Sequence, residues 1–567
     1  MAAVGRPKDN IWEHFIEINQ DSKVFAKCKT CDYKIQQKVC RMKAHYKKCS
    51  KLHQGDVNAS DANDDDVKLT NKRSRSTTPP PTKRQATIPN VTSQPKIDES
   101  VIKTSIDLKQ SLDVEVAKLF FACNIPFNVV EHPQFIKTLK MLRPGYKPPT
   151  RRCLSGPLLD AVHTEQQEQM KKEINGKAAT LVQDGWSNVH NDPIVATCLQ
   201  VDGQSFFLDS VDTGSMSKTA DNCKKLAADS MTTAKEVYDC DVTTIVTDNA
   251  ANMAKMRQGL KEDNPNITVY GCSAHMLNLL GDDVTPAPVI KHVKEVNKYF
   301  RNHHKPSAWL KDCPGSVKPQ LPGETRWKSQ MTCIDTFLTN RPFYMQICDH
   351  HEDEIDAAIS KKVRDVNIFR NARDLKLQLK PIADAIDVCQ SDNTSIADAC
   401  NVWLELSEHK DLQPHKTVID RRLKQTLTAE HFVAYKLHPT YKGEKLTDDQ
   451  LQIVHDYLTE RDPEYIATLI AFEGKAAPFP AAYFKESATA IRAVTWWKGI
   501  QMYKVPTPFA ELAIHLLSAP SSSASIERVF SNFGVIHTKL RNRLGNEKAS
   551  KLVFCYRMLR GQSEIDY

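Results

Sequence analysis

Two stretches decide the fold: KAATLVQDGWS at 177–187 and VTTIVTDNAANM at 242–253. Each is an apolar run that reads as a buried strand, and each is expected to end on an aspartate, Asp184 in the first and Asp248 in the second. Between them, PIVATCLQV (193–201) and QSFFLDSVDT (204–213) read as two strands turning at Asp202-Gly203, a hairpin signal. TADNCKKLAADSMTTAKEVY (219–238) reads as a helix, a second helix follows Asp248, and NITVYGC (266–272) is a further strand. The order β-β-β-α-β-α-β describes an antiparallel hairpin sheet extended by parallel strands through right-handed crossovers. In that order the first strand can lie beside the fourth, with Asp184 and Asp248 projecting side by side. Two unpaired carboxylates at one spot repel each other, so the pairing points to a bound cation. A turn or helix-cap aspartate is the simpler account of either one alone. Their coincidence at equivalent strand ends favours a site.

Before these strands, SLDVEVAKLFFACNIPFNVVEHPQFIKTLKML has helical spacing, with breaks expected at Pro126 and Pro133. PLLDAVHTEQQEQMKKEING continues as an amphipathic helix closed by Gly176. The whole chain has 567 residues, too many for one hydrophobic core. It is 40% hydrophobic and 26% charged, with a mean hydropathy of −0.48. No run approaches the ~20 apolar residues of a membrane helix, and MAAVGRPKDNIWEHF lacks the apolar core of a signal peptide. An intracellular protein with no membrane partner is expected, its sixteen cysteines being free thiols or zinc ligands.

The net charge is +8, and residues 1–51 carry twelve Lys/Arg against five Asp/Glu. A basic patch on so small a segment favours a polyanion, although a solvated face accounts for charge alone. The same segment holds Cys28-x-x-Cys31 and His45-x-x-x-Cys49, four ligands whose order and spacing suit tetrahedral zinc. RMKAHYKKC reads as a helix carrying Arg41, Lys43, Lys47 and Lys48 beside the metal. With Trp12, Phe15 and Phe25 upstream, residues 7–52 resemble a BED-type zinc finger, which implies double-stranded DNA binding by these basic residues. Residues 53–104, with DANDDD and NKRSRSTTPPPTKRQ, read as a disordered basic Pro/Ser/Thr linker. The clusters Lys72–Arg75 and Lys83–Arg84 read equally as a bipartite nuclear address or a generic basic linker.

Seven landmarks follow in order: DGWS (184–187), TDNAANM (247–253), GCSAHMLNL (271–279), TRW (325–327), LHPTYK (437–442), WW (496–497) and SSSASIERVFS (521–531). Together they resemble hAT-superfamily transposases from about residue 175 to the end, and a BED finger is the usual companion of that family. The resemblance implies a multidomain α+β protein: a small zinc finger and an RNase H-like α/β core with a mixed sheet, interrupted by a large all-α insertion. It divides the chain into a helical DNA-binding or dimerisation region (105–175), the core's first part (176–271), the insertion (272–490), and core completion with a dimerisation region (491–567). The insertion accounts for the 279 residues between Asp248 and Glu527.

By the resemblance, Asp184, Asp248 and Glu527 form the catalytic acidic triad holding Mg²⁺ or Mn²⁺. A two-ion site of this kind serves strand cleavage, hairpin formation on flanking DNA and strand transfer. Cys272 and His275 match the family's C-x-x-H motif at the active-site edge, a buried Cys and His being the alternative. Arg326 and Trp327 match a DNA-positioning pair, with phosphate contact from Arg and stacking from Trp. Arg528, Lys539, Arg541 and Arg543 read as DNA contacts or as a solvated face. Self-association as a dimer or higher oligomer and a nuclear location are implied. The rival reading is a domesticated BED-finger regulator that binds DNA without catalysis; a different RNase H-like nuclease is more distant.

Overall fold

The computed structural model describes residues 10–20, 23–31, 34–36, 42, 45–46, 104–323, 328–538, 541 and 543–561. The described residues up to 46 belong to one compact unit and those from 104 onward to another. Strands β1 (Phe15–Gln20), β2 (Lys23–Cys28) and β3 (Lys34–Gln36) make an antiparallel sheet in that order. Its core is Ile11, Phe15, Ala26, Cys28, Ile35 and Met42, little apolar surface for a free-standing fold. Of the helix expected at 41–49, Met42, His45 and Tyr46 are described and helical. Arg41, Lys43, Lys47, Lys48 and Cys49 lie outside the described residues, as does nearly all of the expected linker.

The larger unit holds β4 (Ala178–Ser187), β5 (Pro193–Val201), β6 (Gln204–Asp212), β7 (Asp241–Thr247) and β8 (Thr268–Gly271). They lie in the order β6-β5-β4-β7-β8, antiparallel on the β5–β6 side of β4 and parallel on the β7–β8 side. The first strand thus lies beside the fourth, as the element order suggested. Val195–Val201 is buried without interruption because helices cover both faces, so the strand shows no polar alternation. One expectation needs correction: Asp184 does not end its strand. Pairing with β5 continues through Gly185↔Val195, Trp186↔Ile194 and Ser187↔Pro193, while pairing with β7 stops at Val182↔Val246.

Helices α1 (Ile106–Ala122), α2 (Pro133–Leu142) and α3 (Pro157–Ile174) precede the sheet. The helical stretch is broken at both prolines as expected: α1 ends at Ala122, a 3-10 turn follows Pro126, and Pro133 opens α2, since the first helical position needs no amide hydrogen. Gly176, at φ +69°, ends the turn after α3 in a conformation that favours glycine. Helix α4 (Ala220–Tyr238) starts at Thr219, whose side chain accepts the Asn222 amide, and α5 (Ala251–Asp263) follows β7. From α6 (Ser273–Val284) to residue 490, every regular element among the described residues is helical. They include α7 (Val366–Cys389) and α8 (Ile396–Glu408). The chain closes with α9 (Ala493–Ile500), α10 (Thr507–Ser518), α11 (Ala524–Ile536) and α12 (Asn546–Gly561).

Strand alternation assigns the two faces of the sheet. Thr197, opposite Gln183, meets Ser230 of α4 at 3.2 Å between hydroxyls. Trp186, on the other face, meets Phe530 and Phe533 of α11. The tandem Trp496 and Trp497 are buried and donate their indole N–H groups to the carbonyls of Tyr483 (2.8 Å) and Leu437 (2.9 Å). The WW and LHPTYK landmarks are therefore one piece of core packing. Among the described residues no helix is long and apolar enough to cross a membrane.

Candidate active site

The register of β4 on β7 brings two carboxylates level. Val182 pairs with Val246, and two residues further along each chain stand Asp184 and Asp248. Asp248 lies just past the end of β7, where its Oδ1 accepts the Ala250 amide (3.0 Å) at the entry to α5. Arg257 of α5 reaches back and donates to the Asp248 carbonyl (2.5 Å) and to the Thr247 hydroxyl. Asp184 accepts the Gly185 amide at 2.7 Å. Both aspartates are half-buried.

Glu527 sits in the first turn of α11, and the preceding serine run is buried machinery for placing it. Ser521 and Ser522 donate their hydroxyls to the Cys389 carbonyl at the end of α7 (2.8 and 2.6 Å). The Ser521 amide donates to the Thr394 carbonyl (2.9 Å), and its own carbonyl accepts from Ser273 (3.1 Å). Tyr270 of β8 donates to the Pro520 carbonyl at 2.7 Å. Buried hydroxyls need such partners, so serine is what the helical part asks for here. Arg528 pairs with Asp392 and donates to the Gln390 carbonyl, fixing the same helix to the same loop. At the next turn Trp186 packs on Phe530 and Phe533, with ring centroids 4.4 and 4.8 Å apart. Asp184 and Trp186 share a strand face, and Glu527 and Phe530 share a helix face, so the aromatic contact carries Glu527 toward Asp184.

Asp184 feels the charges of the other two carboxylates. Burial pushes the Asp184 carboxyl up to about 7 despite the Gly185 amide. The charges of Asp248 and Glu527 push the same way, and Lys218 opposes them. A cation fits such a site, because it relieves both the burial penalty and the mutual repulsion. Among the described residues, one group of three metal-binding side chains has ligand atoms all within 4.8 Å of one another, and it is not this one. The three carboxylates therefore do not form a closed cage for a single ion.

Cys272 is buried at the start of α6, and its thiol accepts the amides of His275 and Ser523, each at 3.3 Å. It holds the entry to α11 against the end of β8. His275 is half-buried on α6, one turn from it. Behind Cys272, Asn249 donates to its carbonyl at 2.7 Å and fills the space where a side chain at Gly271 would start. A Cβ there would lie 1.7 Å from Asn249 Oδ1. Gly271→Ala is expected to cost about 2 kcal/mol in chemical denaturation. Adding Asn249→Ala should recover part of that loss; a purely additive double variant would contradict the steric account.

The group within 4.8 Å is Cys28, Cys31 and His45. Cys31 Sγ lies 3.1 Å from His45 Nε2. Burial raises the Cys28 thiol, but backbone amides of Thr30 and Cys31 and the His45 side chain outweigh it and bring it down to about 6. Two thiols and an imidazole at this spacing fit zinc, with Cys49, the expected fourth ligand, outside the described residues. Arg326, Trp327 and Lys539 also lie outside them. Arg541 serves the fold, donating to the Asn124 side chain and, at 2.7 Å, to its carbonyl, while Arg543 is exposed. Lys218 and Trp186 escaped sequence reasoning as neighbours of the acidic group. Trp186 lay in a quoted landmark; Lys218 has no motif signal.

Residues 149–300 match a family model described as a domain of unknown function, DUF659. Residues 481–559 match the hAT family C-terminal dimerisation region, which supports self-association. The first match contains both aspartates, Cys272 and His275, and the second contains Glu527. No curated protein matches the chain.

Proposed function

Because the chain is a hAT-superfamily transposase-like protein, we propose that its mixed sheet is an RNase H-like core that cuts and joins DNA at transposon ends. The carrying observation is the charge coupling of Asp184 with Asp248 and Glu527. In this reading the three carboxylates hold Mg²⁺ or Mn²⁺. The chemistry such ions supply is activation of a water or 3′-hydroxyl and stabilisation of the leaving oxygen in an in-line displacement. The chain's own work is placement. Arg257 and Asn249 fix the end of β7, Trp186 and the buried serines fix α11, and Arg326 and Trp327 orient the strand. The products are a cleaved transposon end, a hairpin on flanking DNA and, after strand transfer, a joined target.

The N-terminal unit is read as a BED-type finger in which Cys28, Cys31, His45 and Cys49 hold zinc. Arg41, Lys43, Lys47 and Lys48 grip phosphates on double-stranded DNA. Dimerisation through the C-terminal region brings two transposon ends together, and the basic linker directs the protein to the nucleus. The test incubates the full chain and Mn²⁺ or Mg²⁺ with DNA carrying candidate terminal inverted repeats. Cleavage with a hairpin on the flank is expected. Tight binding with no cleavage in either ion would leave a DNA-binding regulator instead.

A further inference from the structure

Lys218 lies in the turn that joins β6 to α4 and is exposed. The turn is tied down, since Asn252 near the start of α5 donates to the Lys218 carbonyl at 3.0 Å. Its ammonium stands over Gly185, the residue after Asp184, on the α4 side of the strand: a Cβ built on Gly185 would lie 3.3 Å from Nζ, and the lysine's charge is near enough to oppose the raising of the Asp184 carboxyl. The Ile194 carbonyl lies equally close to that Cβ position, so glycine leaves room there for both groups. Among the described residues, no carboxylate stands within 4.0 Å of this ammonium, whereas Lys177, Lys224 and Lys235 nearby in sequence all have acidic partners. A cation held at the rim of an acidic group, anchored through its backbone and left unpaired, is suited to an anion brought in from outside.

We propose that Lys218 binds a non-bridging oxygen of the phosphodiester positioned against Asp184, Asp248 and Glu527. The inference rests on the DNA-cleaving reading of the site. Three carboxylates and a phosphodiester balance two divalent ions, and the further negative charge of the pentacoordinate transition state then has no counterpart. Lys218 supplies it, so its effect is larger on the rate than on ground-state affinity.

The test compares binding of the full-length protein and its Lys218→Ala and Lys218→Arg variants to an inverted-repeat DNA end, with Ca²⁺ present. The end carries either a normal phosphate or one neutral methylphosphonate at the cleavage position. Expected is about a tenfold loss of wild-type affinity on the methylphosphonate. Lys218→Ala shows a loss on normal DNA, a smaller further loss than wild type on the modified DNA, where only the ions' attraction to the phosphate remains to be lost, and unweakened Mn²⁺ binding; Lys218→Arg stays close to wild type. Equal sensitivity of wild type and Lys218→Ala to the methylphosphonate, or no sensitivity in wild type, overturns the proposal. Cleavage of normal DNA by wild type in Mn²⁺, measured separately, decides the DNA-cleaving reading itself, while the binding comparison still decides the lysine.

Discussion

Asp184→Asn is expected to lower Mn²⁺-dependent cleavage at least a thousandfold while making the metal-free protein more stable at neutral pH. Both effects come from the same charge. The Asp184 carboxyl is raised from 3.8 to about 7, first by burial and then by Asp248 and Glu527. A group raised in this way favours the folded state while protonated and costs stability as pH climbs. The cost begins near the unfolded value of about 4 and is complete above about 7. Asparagine never ionises and keeps an oxygen for the Gly185 amide. The variant should therefore gain up to about 3 kcal/mol at pH 8 and nothing at pH 4, as read by urea denaturation with a chelator present. Mn²⁺ affinity of the parent should fall about tenfold per pH unit below 7, as the ion competes with one proton. A variant less stable than the parent at pH 8 would remove the electrostatic argument for the site.

Trp186→Ala should be the most damaging change that touches no carboxylate. Trp186 is the contact between the central strand and α11, through Phe530 and Phe533, and Phe207 adds a further ring 5.8 Å from Phe533. Emptying that space is expected to cost about 3 kcal/mol. Cleavage should fall about a hundredfold even where the variant is fully folded, since Glu527 rides on the helix that the stack orients. Trp186→Phe keeps a ring and should recover most of both. Normal cleavage by Trp186→Ala at a temperature where it is folded would show that α11 is held by the serine run and Arg528 alone.

Much of this arrangement was legible in the residues. The strand order and the adjacency of β4 and β7 follow from element order and apolar runs, because a sheet covered on both faces leaves uninterrupted Val/Ile stretches. The position of Asp184 was misjudged by three residues: β5 extends the strand past the point where β7 stops, and pairing partners are not written into a strand's own sequence. Glu527 could be tied to the aspartates through resemblance, yet the reason for the serines was invisible. Their partners, the Cys389 and Thr394 backbone groups, lie more than 120 residues away and carry no side-chain signal. Arg528 and Arg541 looked available for DNA from sequence, whereas Asp392 and Asn124 engage them within the fold. Lys218 had no signal because an exposed lysine in a turn resembles any other until the strand it overhangs is known.

The central claim is that Asp184, Asp248 and Glu527 hold divalent ions together. A crystal structure of the full chain grown with Mn²⁺ and measured at the manganese absorption edge tests it directly. The account predicts anomalous peaks bounded by these three carboxylates, lost in the Asp184→Asn crystal. Saturating Mn²⁺ with no peak among them, or with Glu527 turned away from both aspartates, would contradict it.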